Sequence, residues 1–268
     1  MSIIYEPSGK AREYAPLSCN LYSGCDHGCI YCYAPGIRRI KRADYLEVNP
    51  RRNVISEFEK DCRKYANSEK PVLFCFMTDP YNSLEPELRI TREALKIAYR
   101  YKIPVQILTK SNRVTNDMDI IQKFGSHIQI GMTLTARKES TSKEWEPNAS
   151  LPDERLATLR TFHDRGITTW ASFEPVFEPK ESLQMIEDSI DVVDIYKIGK
   201  INNFNGEDSK HDWEKFLMSA VKILRSFRKP FYVKHDLRMA ANNVKLYGNE
   251  VLMDEFFPPP FATQEELF

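Results

Sequence analysis

Short apolar runs alternate with longer amphipathic stretches along most of the chain. The runs at residues 72–77, 105–108, 128–133, 168–173, 192–198 and 231–233 are continuously apolar or nearly so, the pattern of strands buried on both faces. Between them, residues 54–65, 90–101, 117–124, 152–165, 181–188 and 213–227 have helical character. The fourth of these opens on Pro152, Asp153 and Glu154, where a helix N-terminus favours proline and acids, and stops at Gly166 after the basic Arg165. Strict alternation implies right-handed crossovers and a parallel sheet with helices outside. With a first strand near residues 17–23, the units predict an α/β fold, a partial (β/α)6-type barrel. A flat doubly wound sheet fits the alternation nearly as well, and in both cases ligands belong at the C-terminal strand ends.

Composition narrows the class. A chain of 268 residues with 42% apolar residues can bury one sizeable core, so a single domain over 1–268 is expected. No secretory signal opens the chain, and no stretch reaches the ~18 to 20 apolar residues of a membrane span, so the reading is soluble and cytoplasmic, with no membrane partner. Lysine plus arginine equals aspartate plus glutamate at 38 each, so any attraction for a polyanion must be local. The tail at 255–261, Glu-Phe-Phe-Pro-Pro-Pro-Phe, predicts an extended segment packed by its phenylalanines or docked on a partner.

Six cysteines are few for a disulfide framework at this length, and three of them, Cys25, Cys29 and Cys32, are spaced by three and then two residues. Gly24 and Gly28 let such a short loop wrap so that three thiolates converge on one [4Fe–4S] cubane. Three ligands for four irons leave one iron open. S-adenosylmethionine (SAM) can chelate that iron through its amino and carboxylate groups, and reductive cleavage would then release a 5′-deoxyadenosyl radical. The competing reading is a structural zinc site with Cys19 as fourth thiolate, in a metal-stabilised nucleic-acid-binding module. Cys62 and Cys75 read as small core residues.

The segment Ser23-Gly-Cys-Asp-His-Gly-Cys-Ile-Tyr-Cys-Tyr-Ala34 resembles the signature of the radical SAM superfamily, and from Asn20 onward it is similar to the spore photoproduct lyase-like, DNA-repair branch. Further likeness runs through Thr78-Asp79-Pro80-Tyr81, Leu108-Thr-Lys-Ser111 and Glu154-Arg155, over roughly residues 15–235, leaving 236–268 as a C-terminal extension. The resemblance implies a radical SAM enzyme, lyase-like, with a [4Fe–4S] cluster and SAM as cofactors and an electron donor such as flavodoxin or ferredoxin as partner. It implies that Thr78 and Asp79 meet the SAM amino group, that Lys110 approaches SAM, that Thr133 and Thr135 present hydroxyls to it, and that Arg137 pairs with its carboxylate. Tyr31 would contact adenine and Tyr33 would border the reaction space. Each has an ordinary alternative: an Asp-Pro turn at Asp79, a solvated lysine, strand threonines, packed rings.

One departure concerns the hydrogen-atom donor. Spore photoproduct lyases carry a cysteine directly before the serine- or threonine-aspartate pair, where this chain has Met77; Cys75 lies two residues earlier, on the same strand face by period-two alternation but about one strand repeat deeper. Met77 and Cys75 are therefore candidate reaction-side residues, and simple photoproduct reversal is not expected. Charges in otherwise apolar strands add Glu174 and Lys197, with Lys200, Lys234, His235 and Asp236 around the same mouth, either as a structural Glu174–Lys197 pair or as substrate contacts. After the cysteine loop come Arg38, Arg39, Lys41, Arg42, Arg51 and Arg52, a run that could track phosphates or form a solvated face. The substrate is thus expected to be a nucleic acid, a nucleotide or another small polar molecule, with a peptide or protein as the other enzymatic reading.

Overall fold

A strand buried at every position, as Ile128–Thr133 is, must be covered on both faces. The sheet meets this by curling around its own inner side chains while helices cover the outside. The computed structural model describes residues 2–202, 204–253 and 256–261. In chain order the strands are β1 (Ile4–Tyr5), β2 (Leu17–Cys19), β3 (Tyr22–Ser23), β4 (Asn49–Pro50), β5 (Val72–Phe74), β6 (Val105–Thr109), β7 (Ile128–Thr133), β8 (Thr168–Phe173), β9 (Ile195–Ile198) and β10 (Phe231–Val233). The main sheet runs β1-β2-β5-β6-β7-β8-β9-β10 and is parallel except where β1 meets β2. A small antiparallel pair, β3 with β4, stands apart from it.

The six long helices predicted from periodicity are present as Val54–Lys64, Ile90–Arg100, Met118–Phe124, Pro152–His163, Pro179–Asp188 and Trp213–Ser226. Gly166 takes φ +74°, as a helix stop requires, and Glu154 accepts the Leu151 N–H at 2.7 Å to close the other end. Two predicted strands are shorter than expected. The apolar run at 72–77 stops pairing at Phe74, and that at 192–198 begins at Ile195. In the second case Ser189 and Asp194 take the preceding backbone into a turn and onto Thr169.

Closure follows from which side chains meet. Leu73 of β5, Trp170 of β8, Ile195 of β9 and Tyr232 of β10 belong to one buried cluster with Tyr14, which strands so far apart in a flat sheet could not form. The curled, partial-barrel alternative is therefore the one adopted. Gln106 and Gln129 face each other across the lumen side of β6 and β7, where Gln106 Nε2 donates to Gln129 Oε1 at 2.8 Å. Gly131 is required beside them, because a Cβ there would come within 2.1 Å of the Trp170 ring that fills the lumen. The C-terminal segment also packs on the body: Phe256 joins the inner cluster and Phe261 stacks on His127 with ring centroids 4.0 Å apart. Glu255 lies outside the described residues, within which no helix is long and apolar enough to cross a membrane.

Filling the space over Gly131 tests this lumen directly. Gly131→Val should cost about 1–3 kcal/mol by overpacking, read as a lowered denaturation midpoint at an unchanged slope, whereas Gly36→Ala, where a Cβ meets open space, should move it far less.

Candidate active site

Residues 24–33 have almost no regular structure, so their backbone groups need partners from elsewhere. Three segments supply them. The Cys25 N–H donates to the Tyr45 carbonyl at 2.8 Å, and Gly24 permits this approach: at φ +77°, a Cβ would sit 2.0 Å from the Glu47 carbonyl oxygen. Arg42 reaches back and donates to the carbonyls of Cys29 at 2.8 Å and Cys32 at 2.9 Å. On the second side, Ser83 N–H binds the Asp26 carboxylate at 2.9 Å and Asp79 lies 3.4 Å from His27 Nδ1. On the third, Ile30 N–H reaches the Trp145 carbonyl at 3.0 Å, and Asn148 engages the carbonyls of Asp26 and His27 at 2.8 and 3.1 Å.

The loop thus carries three thiols on a braced turn at the barrel mouth. Cys25 is poised by the N–H groups of His27 and Asp79, although burial pushes its thiol up. Burial likewise pushes Cys29 up, to about 11, with Lys110 opposing. A bound cation would offset both shifts, so ligation here releases protons. Among the described residues no three His, Cys, Asp or Glu side chains close on a single metal ion. Three thiolates that each hold a different iron of a cubane do not have to, whereas a zinc ion requires its four ligands to converge. Cys19 offers no fourth ligand: it is fully buried on β2 in the outer core, and its thiol shares a hydrogen bond with Cys75. The donor set therefore fits a three-thiol iron–sulfur cluster and not the zinc site.

Beside the loop lies a buried charge network whose acid, Glu146, sequence patterns did not single out. Glu146 pairs with Arg155 at 2.5 Å, accepts the Tyr31 hydroxyl and stands 3.9 Å from Lys110. Burial would raise the Glu146 carboxyl, but Arg155 and Lys110 outweigh it and hold it below its usual range. Burial would lower Lys110, yet Cys29 and Glu146 outweigh that and raise it. Arg155 also donates to the Thr133 carbonyl at 2.9 Å, tying the end of β7 into the network. The signal for Glu146 was faint, an acid after Trp145 in a helix of seven residues, Glu139–Trp145.

The other expected site residues divide by what is left free. Asp79 is used up internally, accepting from Tyr81 N–H at 2.9 Å, Thr109 Oγ1 at 2.6 Å and Lys110 N–H at 2.9 Å. The Thr78 and Thr135 hydroxyls, by contrast, are buried with no partner among the described residues, which marks them as groups available to a ligand. Arg137 is committed to Asp153 at 2.9 Å and Asp188 at 2.5 Å. Met77 lines a cleft of about 280 Å³ with Tyr5, Tyr22, Tyr45, Arg38 and Thr78. Cys75 lies past the end of β5 at Phe74, buried in the outer core against Cys19 and close behind Tyr5, Tyr22 and Tyr45 of that cleft.

On the far side of the mouth, Glu174 pairs with Lys234, not with Lys197. Lys197 is fully buried, donates to the Tyr14 carbonyl at 2.9 Å and is lowered to about 7 by burial and by neighbouring Lys234. Lys200 turns to Asp208 at 3.4 Å, and Asp236 pairs with Lys10, so neither completes the expected ring. His235 contributes its N–H to Glu13 at 2.7 Å. Tyr33, 48% exposed, packs its ring 6.2 Å from Phe76. Arg42 also departs from expectation, since it clamps the loop and does not extend a phosphate track.

A family model described as the Radical SAM superfamily matches residues 19–193. An uncharacterized protein of Methanocaldococcus jannaschii is 30% identical over 189 residues, which span 69% of this chain and 65% of that relative. An uncharacterized protein of Acidianus two-tailed virus is 26% identical over 223 residues, 76% of this chain and 72% of its own length. Among solved structures, a mutant spore photoproduct lyase with bound AdoMet and dinucleoside spore photoproduct superposes with a TM-score of 0.63 at 13% identity, over 85% of this chain and 79% of that one. Streptococcus suis SuiB bound to S-adenosylmethionine gives a TM-score of 0.60 at 12% identity, over 86% of this chain and 53% of that one. At such identities these two show the likeness of fold.

Two substitutions separate the brace from the surface. Arg42→Ala should make iron loss from the reconstituted protein severalfold faster, because two charge-assisted bonds to ligand-bearing residues vanish. Arg39→Ala should leave the rate unchanged, and so should Cys19→Ala; loss of iron in Cys19→Ala would make Cys19 a fourth ligand and contradict the three-thiol loop.

Proposed function

The chain belongs to the radical SAM superfamily, and on that premise we propose that it is an enzyme holding a [4Fe–4S] cluster on Cys25, Cys29 and Cys32 and acting on a nucleic acid or nucleotide. The observation that carries the cofactor assignment is the braced three-thiol loop with two buried, unpartnered hydroxyls, Thr78 and Thr135, beside it. When bound, such a cluster supplies one electron to S-adenosylmethionine, giving methionine and a 5′-deoxyadenosyl radical. The chain's own residues do the rest. Thr78, Thr135 and Thr133 offer hydrogen bonds to SAM, Lys110 carries positive charge next to Cys29, and Tyr31, pinned by Glu146, holds the loop against the barrel. Asp79 and Arg137 serve as braces in this assignment, because their polar atoms are already engaged. Tyr33 and Glu174 border the space for substrate.

The substrate assignment rests on the surface flanking the loop. Arg38, Arg39, Lys41 and Arg52 are exposed there, and Ile37 and Ile40 are exposed among them, a surface suited to phosphates with apolar faces between. Arg38 also lines the 280 Å³ cleft that holds Met77 and Thr78. The solved relative carrying a dinucleoside photoproduct lends support, while SuiB has been solved bound to its precursor peptide SuiA. An acidic electron donor such as flavodoxin or ferredoxin is the partner we assign for reduction. We place the protein in the cytoplasm, whose reducing conditions suit six free thiols.

Anaerobic reconstitution tests the first half. Iron and sulfide should approach about four each per chain, and strong reductant with SAM should yield 5′-deoxyadenosine and methionine; a full cluster with neither product would contradict it. Salt titration tests the second. Replacing Arg38, Arg39 and Lys41 by glutamine should weaken binding of a single-stranded oligonucleotide and flatten log K against log salt by about 2, from roughly 0.7 per phosphate contact. Salt-insensitive binding, or none, would favour a peptide.

A further inference from the structure

The basic surface explains how phosphates would be held, yet the group facing the barrel interior is an acid. Glu174 follows β8, and its Oε2 is fully used: it accepts the Tyr14 hydroxyl at 2.6 Å and pairs with Lys234. The Lys234 ammonium is itself locked, 4% exposed and 4.0 Å from the centre of the Tyr14 ring. Oε1 points the other way, toward Gly199. A Cβ at position 199 would come within 2.8 Å of Oε1 and 2.9 Å of Cδ, so the missing side chain is what gives the carboxylate its place. Glu174 keeps 18% of its side chain exposed, and its Oε1 has no hydrogen-bond partner among the described residues.

A carboxylate paired with an ammonium, as Glu174 is with Lys234, still offers its other oxygen as an acceptor and has no donor of its own. The part of a substrate that meets it therefore bears a donor, such as an N–H. Tyr33 lies near enough to feel the Glu174 charge, and with Phe76 it forms an aromatic wall at the same opening. A flat ring with N–H donors on its edge matches both walls, stacking on one and hydrogen bonding to the other. Resting on the nucleic-acid reading above, we propose that Glu174 Oε1, held by Tyr14, Lys234 and Gly199, binds the pairing-edge N–H of a nucleobase that lodges at the barrel mouth. The division of labour is spatial: Arg38, Arg39 and Lys41 outside for the backbone, Glu174 inside for the base.

The test measures binding of the anaerobically reconstituted protein to short dT, dC and dA oligonucleotides, each against its counterpart with the pairing-edge N–H replaced by methyl groups. Wild type should prefer at least one unmodified oligonucleotide by about tenfold or more, the scale of a hydrogen bond to a charged group. Glu174→Gln removes the charge, and Gly199→Ala displaces the carboxylate while keeping it, so either variant should reduce the preference to within about threefold at an unchanged salt slope. Gly199→Ala carries the test if Glu174→Gln fails to fold through the loss of the Lys234 partner. Equal binding of both oligonucleotide forms by wild type, or a preference that survives in the variants, would overturn the proposal while leaving the nucleic-acid reading in place. No oligonucleotide binding by wild type would overturn both.

Discussion

Everything at this site depends on holding a loop that cannot hold itself. Residues 24–33, which carry the three cysteines, form neither helix nor strand, so their backbone depends on distant segments for its hydrogen bonds. The Tyr45 carbonyl and Arg42 take one side, the 79–83 turn the second, and Trp145 to Asn148 the third. The curled sheet brings the ends of β5, β6 and β7 to one rim, and the turn after β5 and the helix after β7 supply two of the three braces. The small β3–β4 pair, otherwise hard to account for, positions the 42–50 segment that supplies the other. Glycine at position 24 is where this becomes a covalent requirement, because only there does one chain pass within 2.0 Å of a would-be Cβ.

A second constraint is charge in a dry interior. Glu146, Arg155 and Lys110 on one side of the mouth, and Glu174, Lys234 and Lys197 on the other, are deeply placed groups whose desolvation is tolerable only when each has a partner. They are paired, with one instructive exception. Lys197 has a carbonyl and aromatic rings but no carboxylate, and burial accordingly drives it down to about 7. It pins the Tyr14 segment into the lumen, which in turn delivers the hydroxyl that orients Glu174. The N-terminal segment is thus part of the site's architecture.

Much of this was legible before any coordinates. Period and alternation located six helices and the parallel strands, because a strand buried on both faces and an amphipathic helix leave different residue patterns; the helix Glu139–Trp145, as long as Met118–Phe124, went unread. Whether the sheet closes was not legible, since closure depends on which inner residues meet and Gly131 reads as any glycine until Trp170 lies over it. The cysteine spacing identified the loop and its donor set, a strong local signal. The partners of the charged residues were less accessible. Glu174, read either as a partner of Lys197 or as a substrate contact, stands with Lys234, and Arg42 was read with its basic neighbours although its guanidinium spans two carbonyls. Pairing across a barrel depends on register and tilt, which a one-dimensional pattern does not encode. The end of β5 at Phe74 likewise leaves Cys75 outside the strand whose alternation was used to place it.

The central claim is that the braced loop supplies three thiolates and no more, so that one iron of a four-iron cluster remains open to SAM. Mössbauer spectroscopy of the iron-57 reconstituted protein, recorded with and without SAM, addresses it most directly. The account predicts a [4Fe–4S] spectrum in which one site of the four shifts on addition of SAM while the other three stay in place. A spectrum unchanged by SAM, with four equivalent sites, would mean that the fourth iron is already held by the protein and would contradict it.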